Sequence, residues 1–190
     1  MAINPNIFRE YDIRGIAWKD IDTETAYSIG RAFGTLARRD GSLERAVVGC
    51  DSRESSMPLK SALADGLIST GVDVLDCGTI TTPMLYYSRI FYDTGPAVMV
   101  TASHNPPEYN GFKICGREGA LYGDAFQTIR KIIESGDYTD GKGRLSEVSP
   151  VESYMEMLKD KIRLGGKRPR VAIDCGNGTA ALFAQKLFTE

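Results

Sequence analysis

The stretch AVMVTASHNPPEYNGFKIC, residues 97–115, joins a short apolar run to a second run of strand character through a loop rich in proline and asparagine. The first run, residues 97–101, has the length and composition of a strand that is buried on both faces of a sheet. Asn110-Gly111 is typical of a tight turn and predicts that residues 112–115 form a strand that pairs antiparallel to another. The stretch therefore predicts a mixed sheet.

Helical and strand patterns alternate on both sides of this stretch. Apolar periodicity predicts a helix with Asp22 or Thr23 as its N-cap, and another that begins at Ser55 or Ser56 and ends before Gly71. The predicted helices cover Thr23–Arg39, residues 56–70, Thr82–Phe91 and residues 124–134, and further predicted strands cover Arg45–Cys50 and residues 72–77. Apolar strands bounded by helices favour a sheet that is covered on both faces. We therefore expect an α/β fold: a three-layer α/β/α domain with a mixed, mostly parallel sheet.

The composition changes after the fourth predicted helix. Residues 135–149 are rich in Gly, Asp and Ser, after which the pattern predicts a helix at 150–164, a connection at 165–169, a strand at 170–174 and a helix at 180–188. One strand and one helix cannot bury their apolar faces alone. We therefore expect a domain at 1–149, a linker at 150–169 and the truncated start of a second, similar domain at 170–190, which would make the chain a fragment.

Composition excludes several classes of function. With 23 basic and 25 acidic residues, the net charge of −2 gives no reason to expect nucleic acid or a membrane surface as a partner. No apolar run approaches the roughly 20 residues of a membrane span, and the first residues do not resemble a secretory signal, so we expect a cytoplasmic protein. Four dispersed cysteines and a single histidine predict reduced, half-buried thiols rather than a zinc or redox site.

Ser103 follows the apolar run 97–101, at a strand end where open α/β sheets bind ligands. A hydrolase serine needs a base within hydrogen-bond reach, but the one histidine, His104, is its immediate neighbour and would point elsewhere in extended backbone. A GxSxG nucleophile motif is also absent from the sequence. A serine hydrolase is therefore disfavoured.

Phosphoryl chemistry requires positive charge and positioning around the transferred group. His104, Lys113, the amides of the loop and Arg14 could together hold the charge of a phosphoserine. Each residue alone has an ordinary interpretation: a solvated loop serine, a structural histidine and a surface lysine. Only their combination favours phosphoryl transfer.

Four segments carry a resemblance to a known family. TASHNPPEYNGFK at 101–113 resembles the phosphoserine loop of the α-D-phosphohexomutases. FREYDIRG at 8–15, with Tyr11 and Arg14, is similar to the signature of the phosphomannomutase/phosphoglucomutase branch rather than to that of the phosphoglucosamine mutases. GCDSRESS at 49–56 and DCGNGTA at 174–180 resemble the first strand-helix turn of domain 1 and the opening of domain 2.

The resemblance implies an isomerase-class phosphotransferase of carbohydrate metabolism. Ser103 would be the phosphorylated carrier that gives its phosphoryl group to a hexose 1-phosphate or 6-phosphate and takes the other one back from the bisphosphorylated sugar. His104, Asn105 and Lys113 would line the transfer site, and Lys113 and Arg14 would stabilise charge and handle protons. Tyr11, Asn105 and Arg14 would contact the substrate, whose identity as mannose or glucose the resemblance leaves open.

The resemblance also implies Mg²⁺, held by the phosphate on Ser103 and by Asp residues beyond this chain, and hexose 1,6-bisphosphate as activator and intermediate. The partners would be the phosphosugar and the remaining domains of the same polypeptide, without which we expect the 190 residues to be inactive. Asp51 is interpreted as a cap or loop-fixing residue rather than a metal ligand. A non-catalytic phosphosugar-binding module and an inert α/β domain remain the alternatives.

Overall fold

The computed structural model describes residues 3–39, 41, 44–163, 165–166 and 169–189. Within these residues the strands are β1 (Ile13–Ile16), β2 (Arg45–Cys50), β3 (Asp73–Thr79), β4 (Ala97–Val100), β5 (Tyr109–Cys115) and β6 (Leu145–Glu147). The α-helices are α1 (Thr23–Arg39), α2 (Ser56–Ile68), α3 (Thr82–Phe91), α4 (Asp124–Ser135), α5 (Val151–Lys161) and α6 (Ala184–Thr189), with short 3₁₀ turns at Pro5–Ile7 and Thr179–Leu182.

The strands form one sheet in the order β1-β5-β4-β2-β3-β6. β2 is parallel to both β3 and β4, and β6 is parallel to β3. β5 is antiparallel to both of its neighbours, β4 and β1. The expectation of a mixed, mostly parallel sheet is confirmed, because β5 alone runs against the other described strands.

Alternate residues of the central strands face two separate hydrophobic cores. Val48 and Val98 pack in the core beneath α1, α2 and α4. Val47 and Met99 face the other way, into a core that α3 and α5 cover. β2 is buried on both faces, which explains its continuous apolar sequence. The predicted three-layer α/β/α arrangement is therefore confirmed.

The helices follow the predicted pattern closely. α1 and α3 have the predicted bounds, and α4 extends one residue beyond its predicted end. Asp22 is the N-cap of α1, since the Thr25 N–H donates to Asp22 Oδ1 at 2.8 Å. This backbone hydrogen bond lowers the pKa of the Asp22 carboxyl below its usual value.

The interpretation of Asn110-Gly111 as a turn is wrong, because both residues lie inside β5. The Asn110 amide is buried and donates to the hydroxyls of Ser55 and Ser56 at 2.8 and 2.9 Å. Gly111 lies opposite β1, where an added Cβ would come within 2.1 Å of the Ile13 carbonyl oxygen. Gly111 thus permits the close approach of β1, so tertiary pairing overrides the local turn preference.

The pattern analysis also differs from the structure at both ends of the chain. It did not predict β1 or β6, and the strand predicted at 170–174 does not form: these residues are described as irregular, and all of them are exposed. A strand needs a partner, and none of the described residues pairs with this segment. The helix predicted at 180–188 is divided into a 3₁₀ turn and α6. The helix predicted at 150–164 ends at Lys161, and its predicted last residue, Leu164, lies outside the described residues.

A first testable feature is the close contact between α1 and α2. An added Cβ at Gly30 would lie 2.2 Å from the Leu63 carbonyl oxygen, so a larger residue would force the helices apart. We expect Gly30→Ala to lower the free energy of unfolding by about 1–3 kcal/mol, as overpacking of a well-packed core does. Urea unfolding measures this change. Ser61→Ala, on the exposed face of α2, is the control and should leave the midpoint within error or raise it slightly.

Candidate functional site

An open cleft of about 1430 Å³ lies where the parallel strands β3, β2 and β4 end. Its walls include the segments that follow β2 and β4 and the described segment around residues 175–180. Ser103, His104, Asn105 and Lys113 all line it, so the structure brings together four residues that the sequence pointed to. The carboxyl ends of strands in an open α/β sheet are the usual position for a ligand site.

Ser103 has a left-handed backbone conformation, with φ 58. Its N–H donates to Thr101 Oγ1 at 2.9 Å, and its side-chain Oγ lies 3.1 Å from His104 Nδ1. The expectation that His104 points away from Ser103 is therefore wrong. The reason is that side chains alternate in extended backbone, and Ser103 is not extended.

The Ser103–His104 contact does not make a hydrolase triad. A triad base is oriented by a third group, usually a carboxylate. Among the residues that the structure describes, no carboxylate is hydrogen-bonded to His104. Burial raises the pKa of the Cys50 thiol, and it raises the pKa of Cys77 to about 11, so neither of these two buried thiols is activated as a nucleophile.

Arg53 holds the loop that carries Ser103, and the sequence analysis did not identify this residue. Its Nη1 donates to the carbonyl oxygens of Pro106 at 2.7 Å and Tyr109 at 3.2 Å. Its Nη2 donates to those of Ser103 at 3.1 Å and Asn105 at 2.7 Å. A single guanidinium thus binds four carbonyls of one loop. The segment GCDSRESS was recognised, but nothing in its local pattern indicates where the arginine points.

Asp51 links this arginine to the rest of the site. Its Oδ2 accepts hydrogen bonds from Arg53 Nε at 3.1 Å and from Thr101 Oγ1 at 2.7 Å, and its Oδ1 accepts from the Ser56 hydroxyl and the Arg53 N–H. The interpretation of Asp51 as a loop-fixing residue agrees with this geometry. Its carboxylate is satisfied by neighbours inside the protein.

Arg14 contacts the site through Asn105, since Arg14 Nη1 donates to Asn105 Oδ1 at 2.9 Å. Arg14 also forms an ion pair with Asp12, and the ammonium of Lys113 lies 4.0 Å from the same carboxylate. β1 and β5 hold these groups side by side, because Arg14 lies opposite Gly111 in the strand register. Tyr11 is 73% exposed and does not line the cleft.

The outer walls of the cleft contain features that the sequence analysis missed. Trp18 is 58% exposed with φ 67, a rare conformation for a bulky residue, and Tyr86 lies on the same cleft. Partial burial raises the pKa of the Tyr86 phenol above its ordinary value. Thr179, in the segment DCGNGTA, accepts a hydrogen bond from the Ser52 N–H at 3.0 Å. That segment therefore contacts the loop after β2.

Residues 5–140 match the family model described as phosphoglucomutase/phosphomannomutase, alpha/beta/alpha domain I. The chain belongs to this family. A phosphomannomutase/phosphoglucomutase of Pseudomonas aeruginosa is 40% identical over 184 residues, which cover 96% of this chain and 39% of that protein. A phosphoglucomutase of Neisseria gonorrhoeae is 39% identical over 190 residues, which cover 98% of this chain and 41% of that protein. The chain thus spans about two fifths of the length of these relatives.

A solved structure agrees with the family assignment. The crystal structure of a phosphoglucomutase/phosphomannomutase family protein from Burkholderia thailandensis superposes with a TM-score of 0.92 at 38% identity. The superposition covers 98% of this chain and 42% of that one. The resemblance inferred from the four sequence segments is therefore confirmed, together with the α/β fold. Among the described residues, no helix is long and apolar enough to cross a membrane.

Proposed function

We propose that the chain is the phosphoserine-bearing part of a phosphohexomutase that interconverts hexose 1-phosphates and hexose 6-phosphates. The observation that supports this most directly is that Ser103 lies at the strand-end cleft, which His104, Asn105 and Lys113 also line, in a chain of this family. We further propose a domain at 1–149, a linker at 150–169 whose helix α5 packs on that domain, and the start of a second domain at 170–190. Relatives more than twice as long leave room for the rest of that second domain and for others. The remaining domains of the same polypeptide would complete the active site.

In the proposed reaction, the bond between phosphorus and Ser103 Oγ breaks while a new bond forms to a hydroxyl oxygen of the hexose phosphate. Lys113 gives a proton to Ser103 Oγ as the phosphoryl group leaves and takes up the proton of the sugar hydroxyl in exchange. The bisphosphorylated sugar, hexose 1,6-bisphosphate, then turns and returns its other phosphoryl group to Ser103. Since both transfers use the same oxygen, the loop must present Ser103 in the same way twice.

Positive groups at the site have distinct tasks in this proposal. We assign to Lys113 the stabilisation of the charge that develops on the transferred group and on Ser103 Oγ, and the exchange of protons with the reacting oxygens. His104 and Asn105 contact the phosphoryl oxygens. Arg14 acts through Asn105, to which it is hydrogen-bonded, and adds positive potential. Tyr11 is assigned to the substrate side on the family resemblance alone.

Mg²⁺ is part of the family expectation, with the phosphate on Ser103 as a ligand. The described residues contain no group of three or more His, Cys, Asp or Glu placed to hold a metal ion. Asp51 and Asp12, the carboxylates of the loop network, already bind Arg53 and Arg14. The described residues do not fit a complete magnesium site, so we assign the carboxylate ligands to the later domains.

The decisive experiment assays the complete polypeptide with glucose 1-phosphate and mannose 1-phosphate, with and without hexose 1,6-bisphosphate. We expect formation of the 6-phosphates and one phosphoryl group per chain on Ser103, located by peptide mass spectrometry. Binding of the sugar phosphates without any turnover would instead favour the non-catalytic binding module. Absence of both binding and turnover would contradict the proposal.

Lys113→Met tests the catalytic role of the Lys113 ammonium group. Removing the ammonium group deprives the transferring phosphoryl of one charge, and we expect kcat to fall about 10²-fold or more, as for other donors that act on developing charge. Steady-state kinetics of the complete enzyme measures this fall. Lys131→Met, which replaces an exposed lysine of α4, is the matched control. Equal kcat values in the two variants would exclude a catalytic role for Lys113.

A further inference from the structure

We propose that Arg53 is a positioning residue that holds Ser103 in its transfer-ready conformation, and that it does not bind the substrate phosphate. The inference rests on the proposed function, because it assigns Arg53 a task within that reaction. An arginine beside a phosphoryl-transfer site would ordinarily be interpreted as a phosphate ligand. The hydrogen bonds of Arg53 point to a different role.

All five N–H donors of the Arg53 guanidinium are already used. Nε donates to Asp51 Oδ2, and the four Nη hydrogens account for the four contacts with loop carbonyl oxygens at 2.7–3.2 Å. The side chain is only 15% exposed. A substrate phosphate would have to displace loop carbonyls to reach this guanidinium.

Both backbone polar groups of Ser103 are connected to the same carboxylate oxygen. The Ser103 carbonyl accepts from Arg53 Nη2, and Arg53 Nε donates to Asp51 Oδ2. The Ser103 N–H donates to Thr101 Oγ1, whose hydroxyl also donates to Asp51 Oδ2. The resulting closed ring of hydrogen bonds surrounds a residue with φ 58, which non-glycine residues rarely adopt without support from their surroundings.

Only arginine can make this set of contacts. The planar guanidinium spreads five donors in a fork, whereas a lysine ammonium has three donors that start from one point. Arg53→Lys keeps the charge beside Asp51 but cannot bind four separate carbonyls. This variant therefore separates the positioning of the loop from the electrostatic potential of the site.

Arg89 offers a matched control in the same fold. It donates to the carbonyl oxygens of Gly95, Gly116 and Arg117, and so it binds together the segment before β4 and the segment after β5. These segments lie at the opposite ends of the two strands from Ser103. Arg89→Lys thus removes a comparable set of backbone contacts far from the cleft.

The experiment measures kcat, KM, melting temperature and amide hydrogen exchange for Arg53→Lys and Arg89→Lys in the complete enzyme. For Arg53→Lys we expect kcat to fall about 10–100-fold with KM nearly unchanged, since small misplacement of a reacting group has costs of this size. Exchange at residues 101–109 should rise in this variant and not in Arg89→Lys. Both variants should lose similar thermal stability, and Arg89→Lys should keep its kcat.

Several results would overturn the inference. An unchanged kcat in Arg53→Lys would do so, as would a raised KM with kcat preserved, because that pattern marks a substrate ligand. An equal loss of kcat in Arg89→Lys would show a general stability effect. If the wild-type enzyme shows no turnover, the proposed function fails, and the exchange data then decide the positioning role: increased exchange at residues 101–109 supports it and unchanged exchange overturns it.

Discussion

Ser103→Ala is expected to lower kcat of the complete enzyme by about 10³-fold or more, because the substitution removes the oxygen that carries the phosphoryl group in both half-reactions. The side chain is exposed at the cleft and makes no core contact, so the fold should be unaffected. The measurement combines steady-state kinetics with the intact mass of the protein. The variant should lack the mass of one phosphoryl group that the wild type carries.

Ser61→Ala is the matched control for this variant, since it removes the hydroxyl of an exposed serine on α2. It should keep both its activity and its phosphoryl group. Turnover near the wild-type value in Ser103→Ala would exclude Ser103 as the carrier, and a phosphoryl group that persists in this variant would place the modification on another residue.

Lys60→Met is expected to lower the free energy of unfolding by about 3–5 kcal/mol, the range found when one partner of a buried ion pair is removed. The Lys60 ammonium, on α2, donates to both carboxylate oxygens of Asp76, in β3, at 2.5 and 2.6 Å. The Lys60 side chain is 3% exposed, so its loss leaves a largely buried carboxylate without its counter-ion. Urea or thermal unfolding of the purified protein measures the change.

Two further variants test whether burial of the Lys60–Asp76 ion pair is the reason for the large loss of stability. Asp73 lies in β3, as Asp76 does, and its Oδ2 is 3.4 Å from Nη2 of the exposed Arg144. Arg144→Met should therefore lower the free energy of unfolding by less than about 1 kcal/mol. The double variant Lys60→Met/Asp76→Leu replaces both buried charges and should recover part of the stability lost in Lys60→Met. Similar losses for Lys60→Met and Arg144→Met would contradict the assignment of a buried, strongly coupled pair.

Much of the architecture could be predicted from the sequence because it depends on local patterns. The apolar periodicity of α1, with Asp22 or Thr23 as the expected N-cap, predicted the bounds of that helix, and the apolar run of β4 marked a strand that is buried on both faces. The loop 101–108 was located for the same reason, since it follows that strand. Strands β1 and β6 have no such signal: Ile13–Ile16 contains an arginine and a glycine, and all of Leu145–Glu147 is exposed.

The features of the site can likewise be separated into those that local sequence patterns predict and those that depend on tertiary contacts. The sequence by itself determined the α/β class, the place of Ser103 at a strand end and the family, because these depend on residue order, apolar periodicity and a long motif. Only the tertiary structure decided that the His104 ring contacts the Ser103 hydroxyl and that Asn110 and Gly111 belong to a strand. It also decided that Arg53, from a different segment, binds the carbonyl groups of the loop. These contacts depend on backbone conformation and on residues about 50 positions apart in the chain, and the fold alone brings such residues together.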